Sequence, residues 1–499
     1  MLLFWLEQDQ FEYEIRGLLM AFYPGVYIKQ LQEEAPVGQE QFVVPEGKDN
    51  RPGPDLYLKV RYGQTQGRLE LYAWEQEQLH PCREREFPIT AEDRRQTKTD
   101  LKIELYHLLS EQTGQELPWG TLTGIRPTKL PMAMLEEGMD RDAIFHQMKR
   151  EYLVSDKKAW LGIEIAEREK EILKKIDYKD GYSLYIGIPF CPSTCLYCSF
   201  TSYPVSRWKD RMQEYLDALF AEIDAIAEMF AGKKLNTLYF GGGTPTSLSA
   251  EHLDQLLTRV EQRFDFSDLQ EYTVEAGRPD SVTREKLEVL KRHNVSRISV
   301  NPQTMKDETL RIIGRHHTVE QVQEVYRMAR EVGFDNINMD LILGLPNESV
   351  EDVRRTMEEI EKMAPDNVTI HSLALKRAAR LNLERDRYRN LSFENSWERM
   401  DIASESCARM GLEPYYLYRQ KNMAGNFENT GFAAPGKAGI YNILIMEEKQ
   451  SIVALGAGAT TKAVFPGGRI ERVENVKDVE SYIARINEMI ERKRQLFQL

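Results

Sequence analysis

The amino-acid sequence predicts an α/β protein whose largest piece is a parallel β-sheet with helices outside it, and three observations lead there. Between about residue 180 and residue 411, six short β-rich runs alternate with helical runs. The β-rich runs are almost continuously apolar, as strands covered on both faces should be. The intervening runs carry apolar residues at helical spacing: Tyr215, Leu219, Ile223, Ile226 and Phe230 share one face of the first. Alternation of this kind joins parallel strands through right-handed crossovers.

Taken in order, residues 1–178 form an α+β region ahead of that core. LYLKVRY and GRLELYAW, joined by Gly-Gln-Thr-Gln, predict a hairpin. Helical patterns follow over 98–113 and 140–175, separated by the turn-rich WGTLTGIRPTK with Arg126 and Lys129. The strands of the core, residues 179–411, are YSLYIGIP, NTLYFGG, EYTVEAG, RISVNPQ, NINMDLILG and NVTIHSLAL. Residues 412–499 form a small α+β region. A loop, YRQKNMAGNFENTGFAAPGKAG, precedes two strand-like runs, YNILIME and SIVALGAGA, and Val479, Ile483, Ile486 and Ile490 mark a closing amphipathic helix.

Composition narrows the function classes. The 499 residues carry a net charge of −13, which argues against a large nucleic-acid footprint, since phosphate binding needs clustered Lys and Arg. No apolar run reaches membrane-spanning length, and the N-terminus lacks the positive start and long apolar core of a signal peptide. These features predict a cytoplasmic protein. Five cysteines in a chain of this size are no disulfide framework, yet three of them fall within eight residues.

Those three, Cys191, Cys195 and Cys198, form a C-x3-C-x2-C pattern just after the first strand of the core. Chemistry gathers at the C-terminal ends of parallel strands. Three thiolates can hold three irons of a cubane that otherwise takes four cysteines, which leaves one iron open. The alternatives are a structural zinc site or three unliganded thiols. Zinc asks for a fourth Cys or His nearby, but Cys82 and Cys407 are distant and no His lies between His146 and His252. The flanking Pro192, Ser193 and Thr194 point to a loop rather than a packed core.

CPSTCLYC resembles the signature of the radical S-adenosylmethionine superfamily, and YIGIPFCPSTCLYCSF resembles its oxygen-independent coproporphyrinogen oxidase branch. The long N-terminal region, WGTLTGIRPTK and YRQKNMAGN are most similar to the coproporphyrinogen dehydrogenase subgroup. The resemblance implies a partial (β/α)6 TIM-like barrel of the radical SAM type, with a [4Fe-4S] cluster on Cys191, Cys195 and Cys198. It also implies S-adenosylmethionine, as one molecule or two. The implied cofactor contacts are Tyr185 and Tyr197 around the cysteine loop, and Gly242, Gly243 and Thr244 in FGGGTPT. Glu275, Gln303, Arg315, Asp340 and Ala374 follow at successive strand ends, and Thr460 lies in LGAGATTK. On pattern alone Glu275 is equally a solvated strand-end carboxylate, and Arg315 a helix-end cation beside Gly314. Asp340, inside an apolar strand, needs a partner whatever its role.

The implied reaction is oxidative decarboxylation of two propionates of coproporphyrinogen III to vinyl groups, giving protoporphyrinogen IX. Its partners are that substrate and a reducing electron donor such as flavodoxin or ferredoxin. Four substrate carboxylates call for a basic pocket, with Arg278, Lys376, Arg377 and Arg380 as candidates and Arg126, Arg419 and Lys421 in reach from the flanking regions. Two departures stand close to the cysteines. The branch commonly has His at the position of Gly187, and the oxidase type has a further Cys at the position of Phe200, where the haem-chaperone type resembles this chain. The chaperone type's C-terminal histidine motif is missing, His371 being the last histidine. The alternatives to the oxidase reading are a haem-binding or trafficking protein that keeps the cluster, and a radical enzyme acting on another substrate.

Overall fold

MLLFWL, at the N-terminus, is a core strand. The computed structural model describes residues 1–498 apart from 38–53, 77, 179, 201, 375–378, 384–387, 389–390, 421–422 and 424–425, and apart from the side chain of Asn382. In it, β1 (Leu2–Leu6) runs parallel to both β2 (Ile28–Gln30) and β3 (Leu56–Tyr62). Beyond β3 lie β4 (Gln66–Glu75) and β5 (Gln78–Pro88), both antiparallel. The β3–β4 pair is the hairpin expected from the sequence. Alternation along β1 sends Leu2, Phe4 and Leu6 into one core cluster and Leu3 into another. The first cluster is closed by α1 (Glu12–Phe22) and α2 (Arg94–Thr113). Asp93 caps α2 by accepting from the Gln96 N–H, and Gly114 ends it in the left-handed region. After α3 (Lys129–Glu136), the helical pattern of 140–175 splits into α4 (Arg141–Tyr152) and α5 (Asp156–Leu173). Leu153 turns left-handed between them.

By its internal contacts the chain divides into one unit of Met1–Glu164 with Arg419–Phe427, and a second of Ile165–Tyr418 with Glu428–Leu499. These lines differ from divisions at 178 and 411, because residues 428–499 share a sheet with the alternating core.

Among the described residues that sheet has eleven strands. β6 (Gly181–Ile188) leads, through the short β7 (Phe190–Cys191) and β8 (Tyr203–Pro204), into α6 (Met212–Met229) and β9 (Lys234–Gly242). Then come α7 (Ala250–Arg263), β10 (Glu271–Glu275), α8 (Arg284–Arg292), β11 (Arg297–Ser299), α9 (Asp307–Ile312), α10 (Val319–Val332), β12 (Ile337–Leu343), α11 (Val350–Met363) and β13 (Asn367–Ser372). β6, β9, β10, β11, β12 and β13 are parallel and stand side by side in chain order. All six are the strands read from the sequence. Tyr215, Leu219, Ile223 and Ile226 are buried on α6, as their spacing requires.

Both edges are extended by the rest of the chain. After α12 (Arg380–Leu383) and α13 (Trp397–Arg409), β14 (Glu413–Tyr418) and β15 (Asn429–Ala433) pair antiparallel, with β15 against β13. Asn429–Ala433 is therefore a strand, where the sequence reading placed a loop. YNILIME is a second correction. It is helix α14 (Ile440–Glu447), not a strand, and the Glu271 carboxylate accepts from the Tyr441 N–H in its first turn at 3.0 Å. β16 (Ser451–Leu455) then joins the other edge, parallel to β6, followed by β17 (Thr460–Val464) and β18 (Ile470–Glu474) in antiparallel order. The closing helix is two pieces, α15 (Val479–Ala484) and α16 (Ile486–Phe497). Among the described residues no helix is long and apolar enough to cross a membrane.

Candidate functional site

The end of β6 and the end of β9 press backbone on backbone. Gly243 N–H donates to Ile188 O at 2.8 Å, and Thr244 N–H donates to Phe190 O at 2.7 Å. A Cβ on Gly243 would stand 2.6 Å from Phe190 O, so this position admits no side chain without a shift of main chain. Gly242 holds a φ of 102°, which favours glycine as well. FGGGTPT thus has a structural duty: it fixes β7, and with it Cys191. The Cys191 sulfur lies 3.4 Å from Thr244 Oγ1.

The cysteine loop is then tied to the α9 end of the sheet. Leu196 N–H donates to Ile313 O at 2.9 Å, Ser193 Oγ donates to Gly314 O at 3.0 Å, and Cys198 N–H closes a turn on Cys195 O. Cys195 is buried while Cys191 and Cys198 are half-buried. Burial pushes the Cys191 thiol up, with the Thr244 hydroxyl opposing, and pushes Cys198 up to about 11. Iron coordination would deprotonate such thiols outright.

Two arginines converge on this loop. Arg315 is buried, donates to Asn301 O at 2.6 Å and Gly277 O at 3.3 Å, and also engages the Tyr197 hydroxyl and the Cys195 sulfur. Arg278 donates to Cys195 Sγ at 3.6 Å and to Ser193 O at 3.1 Å, and forms a bidentate pair with Asp280. Arg278 therefore holds the loop, and in this arrangement it offers no free fork to a substrate carboxylate.

The remaining candidates lie on or just after successive strands of this sheet. Glu275, ending β10, accepts from the Tyr239 hydroxyl at 2.6 Å. Burial pushes its carboxyl up to about 7, with the Tyr239 hydrogen bond opposing and the Asp340 charge adding. Gln303 sits in the left-handed region with a φ of 69° and bridges β12 through Asp340 O and Ile342 N–H. A non-glycine residue there stores strain, as functional positions often do. Asp340 finds the partners its setting demands. Asn338 Nδ2 donates to its Oδ1 at 2.7 Å, and His371 Nε2 stands 3.8 Å from its Oδ2. Burial pushes this carboxyl up, but His371 and Asn338 more than offset it and leave it below its usual range.

Tyr185 stacks at 6.2 Å between ring centroids with Tyr239 and with Tyr441, which themselves stack at 4.5 Å. Tyr197 packs against the core cluster of Leu310, Ile313, Ile342, Leu345 and Leu373. Ala374 follows β13 and is half-buried, while Thr460 begins β17 and is exposed. Arg380 is exposed on α12, and Lys376, Arg377 and Lys421 lie outside the described residues. Arg419 is buried in the other unit, where it donates to Leu122 O and to Asn426 Oδ1.

A model of the radical SAM superfamily matches residues 185–360. The oxygen-independent coproporphyrinogen-III oxidase-like protein HemZ of Bacillus subtilis (strain 168) is 42% identical over 404 residues, spanning 80% of this chain and 81% of HemZ. The chain belongs to the HemZ family of radical SAM proteins. Heme chaperone HemW of the same organism is 32% identical over 309 residues, spanning 61% of this chain and 76% of HemW. The solved structure of coproporphyrinogen III oxidase (HemN) from Escherichia coli superposes with a TM-score of 0.50 at 23% identity, over 64% of this chain and 73% of that one, and shows the shared fold.

As a radical SAM protein the chain uses a [4Fe-4S] cluster and S-adenosylmethionine, and its residues fit both. Three soft sulfur donors stand on one short loop, with two buried guanidinium groups reaching the Cys195 sulfur. Among the described residues no three His, Cys, Asp or Glu side chains converge on a single ion position.

The sequence reading missed Tyr239, Tyr441 and His371. Tyr239 hides inside an apolar strand and Tyr441 inside an apolar run, so neither carried a local signal. His371 was legible as the last histidine, and strand alternation places it beside Asp340 across the β12–β13 register.

Proposed function

We propose that the chain catalyses oxidative decarboxylation of two propionate side chains of coproporphyrinogen III, giving protoporphyrinogen IX. The observation that carries this reading is the layout around the parallel sheet: Glu275 ends β10, Gln303 follows β11 and hydrogen-bonds β12 beside Asp340, and Arg315, after α9, engages Cys195 and Tyr197 of the three-cysteine loop. The relationship to HemZ over four-fifths of the chain supports the substrate. The bound cofactors would supply a one-electron reductive cleavage whose organic radical removes a hydrogen atom from a propionate; loss of carbon dioxide and of one electron to a one-electron acceptor then leaves the vinyl group. Cys191, Cys195 and Cys198 hold the cluster, and the backbone clasp between β7 and FGGGTPT fixes the first of them. Glu275, Asp340, Gln303 and Arg315 orient the nucleotide and amino-acid ends of S-adenosylmethionine, with Tyr185, Tyr197, Gly242, Gly243, Thr244, Ala374 and Thr460 completing its surround. Arg380, Lys376 and Arg377, just after β13, receive substrate carboxylates. Electrons enter from a flavodoxin or ferredoxin.

Phe200 and the likeness to HemW favour a second reading, a haem-binding protein that keeps the cluster. The sequence offers no histidine beyond His371 as an axial ligand in its C-terminal region. Anaerobic reconstitution with iron, sulfide, reductant, S-adenosylmethionine and coproporphyrinogen III, followed by porphyrin chromatography, separates the readings. Two-vinyl product with stoichiometric 5′-deoxyadenosine is expected. Tight haem uptake with no porphyrin turnover would replace the proposal with the second reading.

A further inference from the structure

Arg278 was expected at the substrate, and the structure gives it other work. Its side chain is 4% exposed, and all of its N–H donors are used. Nε and Nη2 grip the two oxygens of Asp280 at 2.9 and 2.8 Å. Nη2 also reaches Ser193 Oγ at 3.0 Å, and Nη1 reaches Ser193 O at 3.1 Å and Cys195 Sγ at 3.6 Å. The Asp280 pair occupies one edge of the planar guanidinium, which turns the positive edge toward the sulfur.

The arginine is itself held rigidly. Its carbonyl accepts from Ser281 Oγ at 2.7 Å, Ser281 Oγ meets Thr246 Oγ1 at 2.7 Å, and Lys286 Nζ binds both Ser281 O and Thr246 O. The loop carrying Arg278 is thus braced to the same FGGGTPT segment that clasps Cys191.

We propose that Arg278 is a positioning residue of the cluster: it locks the cysteine loop through Ser193 and raises the cluster's reduction potential through its charge and its N–H···S bond to Cys195. Reduction adds negative charge to the cluster and its sulfurs. A buried cation and a hydrogen bond at one sulfur therefore stabilise the reduced form more than the oxidised form. Arg315, engaging the same sulfur, acts in the same sense. The inference rests on the cofactor assignment and not on the identity of the substrate.

The test is an EPR-monitored redox titration of the full-length, anaerobically reconstituted protein, without substrate or S-adenosylmethionine, at matched iron and sulfide content. Arg278→Gln is expected to lower the reduced-to-oxidised ratio at fixed potential about tenfold, which is about 59 mV for a one-electron couple. Arg278→Lys keeps the charge, loses the fork, and falls between the two. Asp280→Asn leaves the guanidinium uncompensated and should move the ratio at least twofold the other way. An unchanged potential in Arg278→Gln with full iron overturns the proposal, as does a raised KM for coproporphyrinogen III with the potential unmoved, which would return Arg278 to the substrate. If Arg278→Gln fails to retain iron, Asp280→Asn decides alone: a higher potential supports the proposal, and an unchanged or lower one overturns it. The potentials of Arg278→Gln and Asp280→Asn can be read whether or not coproporphyrinogen III is the substrate.

Discussion

Replacing Lys493 with methionine is expected to destabilise the protein far more than loss of an ordinary surface charge. Lys493 on α16 and Glu222 on α6 are 1% and 0% exposed and meet at 2.7 Å. Glu222 also accepts from Asn475 Nδ2 at 2.9 Å, from the Tyr482 hydroxyl at 2.6 Å and from Gly456 N–H at 2.9 Å. Lys493→Met is close in length and packs well, but it leaves the Glu222 carboxylate buried without its cation and Asn475 Oδ1 without its donor. Removing one partner of a buried pair costs about 3–5 kcal/mol. At roughly 2 °C per kcal/mol for a unit of this size, the melting temperature should fall by about 6–10 °C. The assay is thermal unfolding of the full chain by circular dichroism at low and high salt, with Glu222→Gln and the double variant completing a cycle. The double variant should recover part of the loss, with a coupling of about 1.5 kcal/mol or more. A drop under about 2 °C that vanishes in 1 M salt is how an exposed, screened pair behaves, and it would refute the reasoning.

Three further outcomes are expected. Glu275 has a folded pKa raised from 4.5 to about 7, so the folded apo protein binds the extra proton and its stability falls as pH rises from about 4.5 through 7. Glu275→Gln removes that slope: it should exceed wild type by up to about 3 kcal/mol at pH 8 and converge with it near pH 4.5, measured by urea unfolding. Asp340→Asn weakens a charge-assisted contact and should lower S-adenosylmethionine affinity roughly 10- to 100-fold in anaerobic calorimetry. Unchanged affinity would leave Asp340 a purely structural partner of Asn338 and His371. Gly243→Ala drives a methyl against Phe190 O and Ile188 O, so iron content per chain after reconstitution should fall well below that of wild type.

The parts of the molecule legible in the sequence are those whose signals are local. Six apolar runs gave six parallel strands, because a strand buried on both faces needs nothing else to announce it. The cysteine spacing is local in the same way. What escaped depends on contacts between distant residues. YNILIME is too short and too apolar for its period to separate helix from strand, and the Glu271 carboxylate that meets its first turn is 170 positions away. β5 was missed because HPCREREF carries charges, as an edge strand should. Lys493 reads as a solvated helix cation, and only the packing of α16 on α6 buries it. Arg278 was recognisable as a cation beside the site, but whether it faced a ligand or a sulfur depended on Ser193, 85 residues earlier.

The segment Arg419–Phe427, between β14 and β15 in the chain, groups with the N-terminal unit, where Arg419 N–H donates to Ile125 O at 2.7 Å. The polypeptide therefore passes from one unit to the other three times, after Glu164, after Tyr418 and after Phe427. No single cut in the gene separates them. A truncation that removed residues 1–164 would leave a buried arginine and Phe427 stripped of their surroundings, and a fragment ending at Glu164 would lack a piece of its own interior. Cleavage of the chain after Glu164 should therefore not release two independently complete pieces, because the N-terminal unit draws part of its packing from a segment more than 250 residues downstream.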